Sequence, residues 1–75
     1  MKVLVFGQLK EFTGSDWINV PSMKSTGELN VYLNKTYPGI ADVKYIVAVD
    51  KEVVQSDTEL TEENIIALLP PYAGG

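Results

Sequence analysis

The chain has no cysteine, no histidine and no arginine. Without cysteine there is no disulfide staple, no thiolate nucleophile and no thiolate metal site, and without histidine the usual general base and the commonest neutral metal ligand are missing. Most stand-alone hydrolytic chemistry is excluded by that inventory, and no set of carboxylates shares a spacing that converges on a metal or an acid/base pair. Ten acids against six lysines leave a net charge of −4. An acidic chain with no arginine is a poor partner for nucleic acid, where affinity comes mainly from cations on phosphate. No apolar run approaches the roughly 20 residues that span a bilayer. The apolar start is broken by Gly7 and Gln8 too early for a secretory leader, so the expected location is cytoplasmic.

What is present is one small globular domain. Seventy-five residues at 45% hydrophobic content match an ordinary folded chain with about 4 to 11 kcal/mol of net stability. Every element must therefore share a single core. Residues 2–6 are apolar on both faces and β-branched at Val3 and Val5, which suits a strand buried on two sides. Leu9 and Phe12, three apart with Gly14 following, predict a single helical turn over residues 8–13. Residues 16–20 alternate, with Ile18 and Val20 on one side and Trp17 and Asn19 on the other, as a half-exposed strand does. Ser25 and Glu28 have the spacing of a capping box. The helix it opens carries Leu29, Tyr32, Leu33 and Tyr37 along one stripe and stops at Pro38-Gly39. Gly27 weakens its first turn by about 1 kcal/mol relative to alanine, so tertiary contacts must hold that turn. Residues 45–49, 53–54 and 65–69 are further strands, with Asp50-Lys51 and the polar stretch 55–64 as turns.

A single helix needs a sheet to cover it, and the two runs without polar alternation, 2–6 and 65–69, are the natural sheet centre. If they lie side by side, the chain is an α+β domain of the β-grasp type, a mixed sheet under one main helix, over residues 1–69. Leu4 and Phe6 are expected in sheet packing. Leu68 and Leu69 alternate sides, so one faces the core and the other is an interface candidate beside the tail. Six of the ten acids fall between residues 50 and 63 with only Lys51 opposing them. That cluster reads equally as a solvated loop or as a means of steering toward a basic partner groove.

The tail over residues 70–75 carries the chemistry. Pro70 and Pro71 cannot donate to a ladder and fix φ near −65°, so they end the last strand and launch an extended course. From there Tyr72, Ala73, Gly74 and Gly75 shrink to no side chain at all. Six extended residues reach about 20 Å, enough to thread a partner's active site. A terminal carboxylate is an unreactive anion until it is activated, for instance as an acyl-adenylate. The chain has no phosphate-cradling loop to do this, so ATP and the chemistry belong to partners.

The tail Leu68-Leu69-Pro70-Pro71-Tyr72-Ala73-Gly74-Gly75, together with the opening Val3-Leu4-Val5-Phe6-Gly7-Gln8-Leu9-Lys10-Glu11 and Gly14, resembles the small, sulfur-carrying subunits of molybdopterin synthase. The resemblance covers the whole chain and implies a ubiquitin-like β-grasp fold. It implies further that Gly75 is adenylated by an E1-like enzyme and converted to a thiocarboxylate with sulfur from a donor protein. The tail would then insert into the large synthase subunit, within a heterotetramer, and give sulfur to cyclic pyranopterin monophosphate. The chain departs from the family pattern at Lys10, an interface candidate where arginine is common, at Asp50-Lys51, and at Glu62-Glu63-Asn64, where Asn64 is able to take the left-handed conformation a turn requires. Three alternatives share the same tail or fold: a thiazole-pathway sulfur carrier, a ubiquitin-like modifier joined to lysines, and a purely non-covalent β-grasp module.

Overall fold

The computed structural model describes residues 1–71. Five strands form one mixed sheet in the order β2-β1-β5-β3-β4: β1 (Lys2–Val5), β2 (Trp17–Asn19), β3 (Ile46–Val49), β4 (Glu52–Val54) and β5 (Ile66–Leu69). The first and last strands run parallel side by side at its centre, with Val3, Leu4 and Val5 opposite Ile66, Ala67 and Leu68. The hairpins β1/β2 and β3/β4 flank them, and β3 pairs with β5 antiparallel. This is the β-grasp arrangement expected from the apolar runs.

Helix α2 (Thr26–Thr36) crosses one face of the sheet. Its Leu29 and Leu33 are fully buried with Val3, Val5, Ile66 and Leu68, while Tyr32 and Tyr37 pack partly against the same core. The short helix α1 (Lys10–Thr13) follows a 3₁₀ turn at Gly7–Leu9 and is closed by Gly14 in the left-handed conformation. The 3₁₀ turn buries Leu9 completely. A second 3₁₀ turn, Ile40–Val43, was not visible in the sequence pattern; it drops Ile40 into the core after the Pro38-Gly39 stop.

The start of α2 is held by both local and distant groups. The Ser25 hydroxyl accepts the Glu28 amide at 3.3 Å, as the spacing predicts, but the Glu28 carboxylate reaches the Lys24 amide rather than that of Ser25. The Gly27 amide donates to Asp57 Oδ1 at 2.8 Å, and Thr26 exchanges hydrogen bonds with Thr58. A Cβ on residue 27 would lie 2.9 Å from that Asp57 oxygen. The glycine that weakens the helix is thus what admits the carboxylate to an orphan N–H at the positive end of the helix dipole. Asp57→Ala is expected to destabilise the fold by about 1 to 2 kcal/mol and Ser25→Ala by about 0.5 to 1 kcal/mol, because the charged acceptor makes the stronger bond. Urea unfolding of the two variants checks that order.

Two expectations about turns divide. Asp50 and Lys51 form the two-residue β3/β4 turn with φ of 52° and 73°, the pairing that matches strand twist in a tight hairpin. Asn64 does not take the left-handed conformation. Its side chain instead accepts the Thr61 amide at 2.7 Å and donates to Asp50 Oδ2 at 2.7 Å, while Asp50 Oδ1 accepts the Ile65 amide. The loop entering β5 is therefore fixed by side-chain bonds to the hairpin, so no left-handed residue is needed there.

Candidate functional site

The site begins where the central strand ends. After Leu69 the chain enters Pro70 and Pro71, whose missing N–H groups end the ladder. Pro70 is buried and Pro71 is exposed. The Pro70 ring packs on Gly7, which has a φ of +60°; a Cβ on that glycine would lie 2.6 Å from Pro70 Cγ. The adjacent Phe6 amide donates to the Leu68 carbonyl at 3.0 Å. The root of the tail is thus seated on the main chain at the end of β1, and its exit direction is set by a rigid ring against a residue without a side chain. The expected threading residues Tyr72, Ala73 and Gly74, and the expected reactive residue Gly75, lie outside the described residues.

Leu68 and Leu69 divide as the alternation predicts. Leu68 is fully buried beneath α2, and Leu69, opposite Ile46, is half-buried on the other face. Lys10 is exposed at the start of α1, directly after the 3₁₀ turn that packs against β5. Leu69, Pro70 and Lys10 therefore belong to one end of the sheet, and Leu68 belongs to the core.

The expectation of strands buried on both sides is corrected. Among the described residues α2 is the one long helix, and it can cover only one face. The pairing register puts Trp17, Leu4, Ala67, Ala48 and Val53 in a single row across all five strands on the uncovered face. Leu69 and Ile46 continue it toward the tail. Trp17 is 48% exposed, Val53 49%, and Ile65, just before β5, 57%. Phe6, expected in sheet packing, is 44% exposed next to Gly7. With strands about 4.8 Å apart and three or four residues long, the footprint of this face is about 300 Å². The signal was in the sequence: two apolar faces in the central strands and one helix to cover them.

The electrostatics of the two faces differ. On the open face the charge carried by the central strands is Lys2, whose Nζ sits 4.7 Å from the centroid of the Trp17 ring, a cation–π geometry. Of the acids between residues 50 and 63, Asp50 and Asp57 are committed to backbone amides, and Glu62 lies 4.0 Å from the amino terminus of Met1. Glu52, Glu59 and Glu63 are exposed. Under α2, the Tyr45 hydroxyl donates to Asn30 Oδ1 at 2.8 Å, and partial burial raises its pKa above the ordinary tyrosine value. No group of three acids among the described residues could hold a metal ion, and no described helix is long and apolar enough to cross a membrane.

Residues 3–75 match the family model described as the ThiS family. The chain is 30% identical over 80 residues to the molybdopterin synthase sulfur carrier subunit of Escherichia coli (strain K12), an alignment spanning all of this chain and 99% of that protein. It is 32% identical over 81 residues to the molybdopterin synthase sulfur carrier subunit of Dictyostelium discoideum, spanning 99% of this chain and 94% of that one. The fold is similar to that of SAMP1 from Haloferax volcanii, with a TM-score of 0.72 at 21% identity over 99% of this chain and 97% of that chain. It is similar also to a chain of the complex of subunits 1 and 2 of molybdopterin-converting factor from Helicobacter pylori 26695, with a TM-score of 0.71 at 23% identity over 99% and 96%.

Proposed function

The chain belongs to the ThiS family, and from that premise we propose that it is the sulfur carrier subunit of a molybdopterin synthase, with Gly75 as the residue that carries sulfur. The observation that supports this reading most directly is the end-to-end likeness to two sulfur carrier subunits at about 30% identity. A buried Pro70 seated on Gly7 and an open apolar face beside it supply what a carrier needs, a fixed tail root and a docking surface.

The carrier does no chemistry unaided. An E1-like partner binds ATP; a carboxylate oxygen of Gly75 attacks the α-phosphorus, pyrophosphate leaves, and the acyl carbon becomes electrophilic. A persulfide sulfur on a donor protein adds to that carbon and AMP leaves, which gives an acyl disulfide; a second thiol then attacks the donor-side sulfur, so that a disulfide forms on the donor and the thiocarboxylate is released. Seated in the large synthase subunit, the thiocarboxylate sulfur forms a bond to a side-chain carbon of cyclic pyranopterin monophosphate as a carbon–oxygen bond at that carbon breaks and the oxygen leaves, and water then cleaves the acyl–sulfur bond to return the Gly75 carboxylate and leave the sulfur on the pterin. The tail supplies reach and a slim backbone; the open face keeps the body docked while the end reacts.

Mass spectrometry of the chain incubated with its adenylating enzyme, ATP and a sulfur source tests the reading. The expected species is heavier than the free chain by the difference between a sulfur and an oxygen atom. Lysine-linked conjugates without that species would support a modifier instead, and sulfur passing only to a thiazole-forming partner would support the thiazole pathway. That the two relatives at about 30% identity are both sulfur carrier subunits of molybdopterin synthase favours molybdopterin.

A further inference from the structure

The two edges of the sheet are finished differently. The Asp50 amide donates to the Ile65 carbonyl, so in steps of two along β3 the backbone groups of Ala48 and Ile46 point to β5, and those of Val47 and Val49 point to β4. Val53, opposite Ala48, therefore turns its N–H and C=O away from the sheet, and among the described residues neither has a partner. At the other edge the Val5 amide donates to the Asp16 carbonyl and the Val20 amide to that of Met1, so Trp17 and Asn19 are the residues that face outward. There the Ser15 hydroxyl donates to the Trp17 carbonyl, and Pro21 follows directly after Val20. Such devices close an edge to further pairing; β4 has none of them.

A groove runs beside the open edge. Val54 and Glu52, opposite the buried Val47 and Val49, share the helix-covered face with them. Between β4 and α2 lie two hollows of about 140 and 300 Å³ that share Asn30, Val47, Val54 and Gln55. The smaller one is bordered by Asp57, the larger by Tyr45. Asp57 spends Oδ1 on the Gly27 amide, and its Oδ2 has no hydrogen bond or ion pair among the described residues. Glu52 is exposed and likewise has no cation beside it.

We propose that the β4 edge docks an extended segment of a partner protein in which an apolar residue stands between two basic ones. The middle residue, set antiparallel to Val53, exchanges both backbone bonds with it and lays its side chain beside that of Val53 on the open face. Its two neighbours point to the helix side. One meets Glu52, and the other enters the groove past Val54 and reaches Asp57. Main-chain bonds supply the attachment and the alternate side chains select the sequence. The segment is basic because like charges set opposite one another across a ladder are unfavourable. β4 lies two strands from β5, about 10 Å, so docking there leaves the root of the tail clear. The inference stands on the edge and its groove, and the carrier reading is not among its premises.

Isotope-labelled full-length chain, titrated with the peptide acetyl-Ser-Lys-Val-Lys-Ser-amide and followed by its backbone amide resonances, tests the proposal. The Val53 and Gln55 resonances are expected to shift saturably, and deuterium exchange of the Val53 amide to slow. The same peptide with glutamate in place of lysine is expected to bind at least about tenfold more weakly. Val53→Pro removes the outward donor without touching the β3/β4 ladder and is expected to weaken binding about tenfold. Asp57→Asn keeps an oxygen for the Gly27 amide but removes the charge; it is expected to weaken binding about threefold at about 50 mM salt and hardly at all at about 500 mM. Thermal melts confirm that the variants fold, and if Val53→Pro does not, the exchange of the Val53 amide in the unaltered chain decides. No saturable shift, shifts centred on Leu4 and Ala67 instead of Val53, or a Val53 amide that the peptide leaves unprotected would each overturn the proposal and leave the carrier reading standing. Val53 shifts that grow with chain concentration alone would make the occupant a second copy and overturn it as well.

Discussion

Removing Gly75 is expected to leave folding unchanged and to reduce sulfur transfer by at least about a thousandfold. The buried core described above lies entirely between Val3 and Leu68, so the melting temperature of the shortened chain should equal that of the full chain. Its chemistry should not survive. Taking away one residue retracts the acyl carbon by about 3.5 Å from the atoms that must adenylate and sulfurate it, and a misplacement of about 1 Å already costs on the order of a hundredfold when reacting groups are held in a near-attack geometry. The Gly74 carboxylate left behind is chemically competent but misplaced. Partner affinity, resting on the open sheet face and the root of the tail, should fall far less than turnover. Single-turnover sulfur transfer and a binding isotherm on the same preparation separate the two effects. Full activity in the shortened chain would remove Gly75 from the reaction and return the domain to the class of non-covalent interaction modules, which would lose nothing by the deletion.

The parts of the fold legible in the sequence are those that local patterning dictates. The alternation around Ile18, the Ser25 cap, the stripe of Leu29 and Leu33, and the two apolar runs that pair at the sheet centre all follow from periods of two and 3.6 residues. What was hidden depends on residues far apart in the chain. Asp57 caps an amide thirty residues away, and no spacing rule connects it to Gly27. Asn64 is able to make its turn with left-handed backbone but makes it with its side chain, because the β3/β4 hairpin brings Asp50 within hydrogen-bonding reach. Phe6 and Ile65 illustrate a different failure. An apolar residue in a central strand is normally buried on both sides in a parallel α/β sheet, but this domain has one long helix for one face only, and the other is left open. The Pro70 contact on Gly7 was likewise invisible, because no spacing rule joins two residues at opposite ends of the chain.

That contact carries the second large effect, and Gly7 and Gly14 form a natural pair with which to measure it. Both have positive φ, +60° and +81°, so alanine at either meets the same kind of backbone strain, about 1 to 2 kcal/mol. At Gly14 nothing lies within 4 Å of an added Cβ, whereas at Gly7 it would stand 2.6 Å from Pro70 Cγ. The proline ring cannot swing away as a flexible side chain would, so either β1 or the root of the tail must shift, and overpacking of this kind adds about 1 to 3 kcal/mol. Gly7→Ala is therefore expected to destabilise the chain by about 2 to 5 kcal/mol, with a melting temperature lower by at least about 10 °C in a domain of this size. Gly14→Ala should show only the backbone part. The double variant Gly7→Ala/Pro70→Ala, which removes the ring from the clash, should recover stability relative to Gly7→Ala alone, and a double-mutant cycle on thermal or urea unfolding extracts the coupling. The functional consequence is separable. At a temperature where Gly7→Ala is still fully folded, its tail leaves the body at an altered angle, and sulfur transfer should fall well below that of Gly14→Ala. Equal losses of stability in the two single variants would mean that Pro70 does not press on residue 7, and the account of a tail aimed by its root would fail with it.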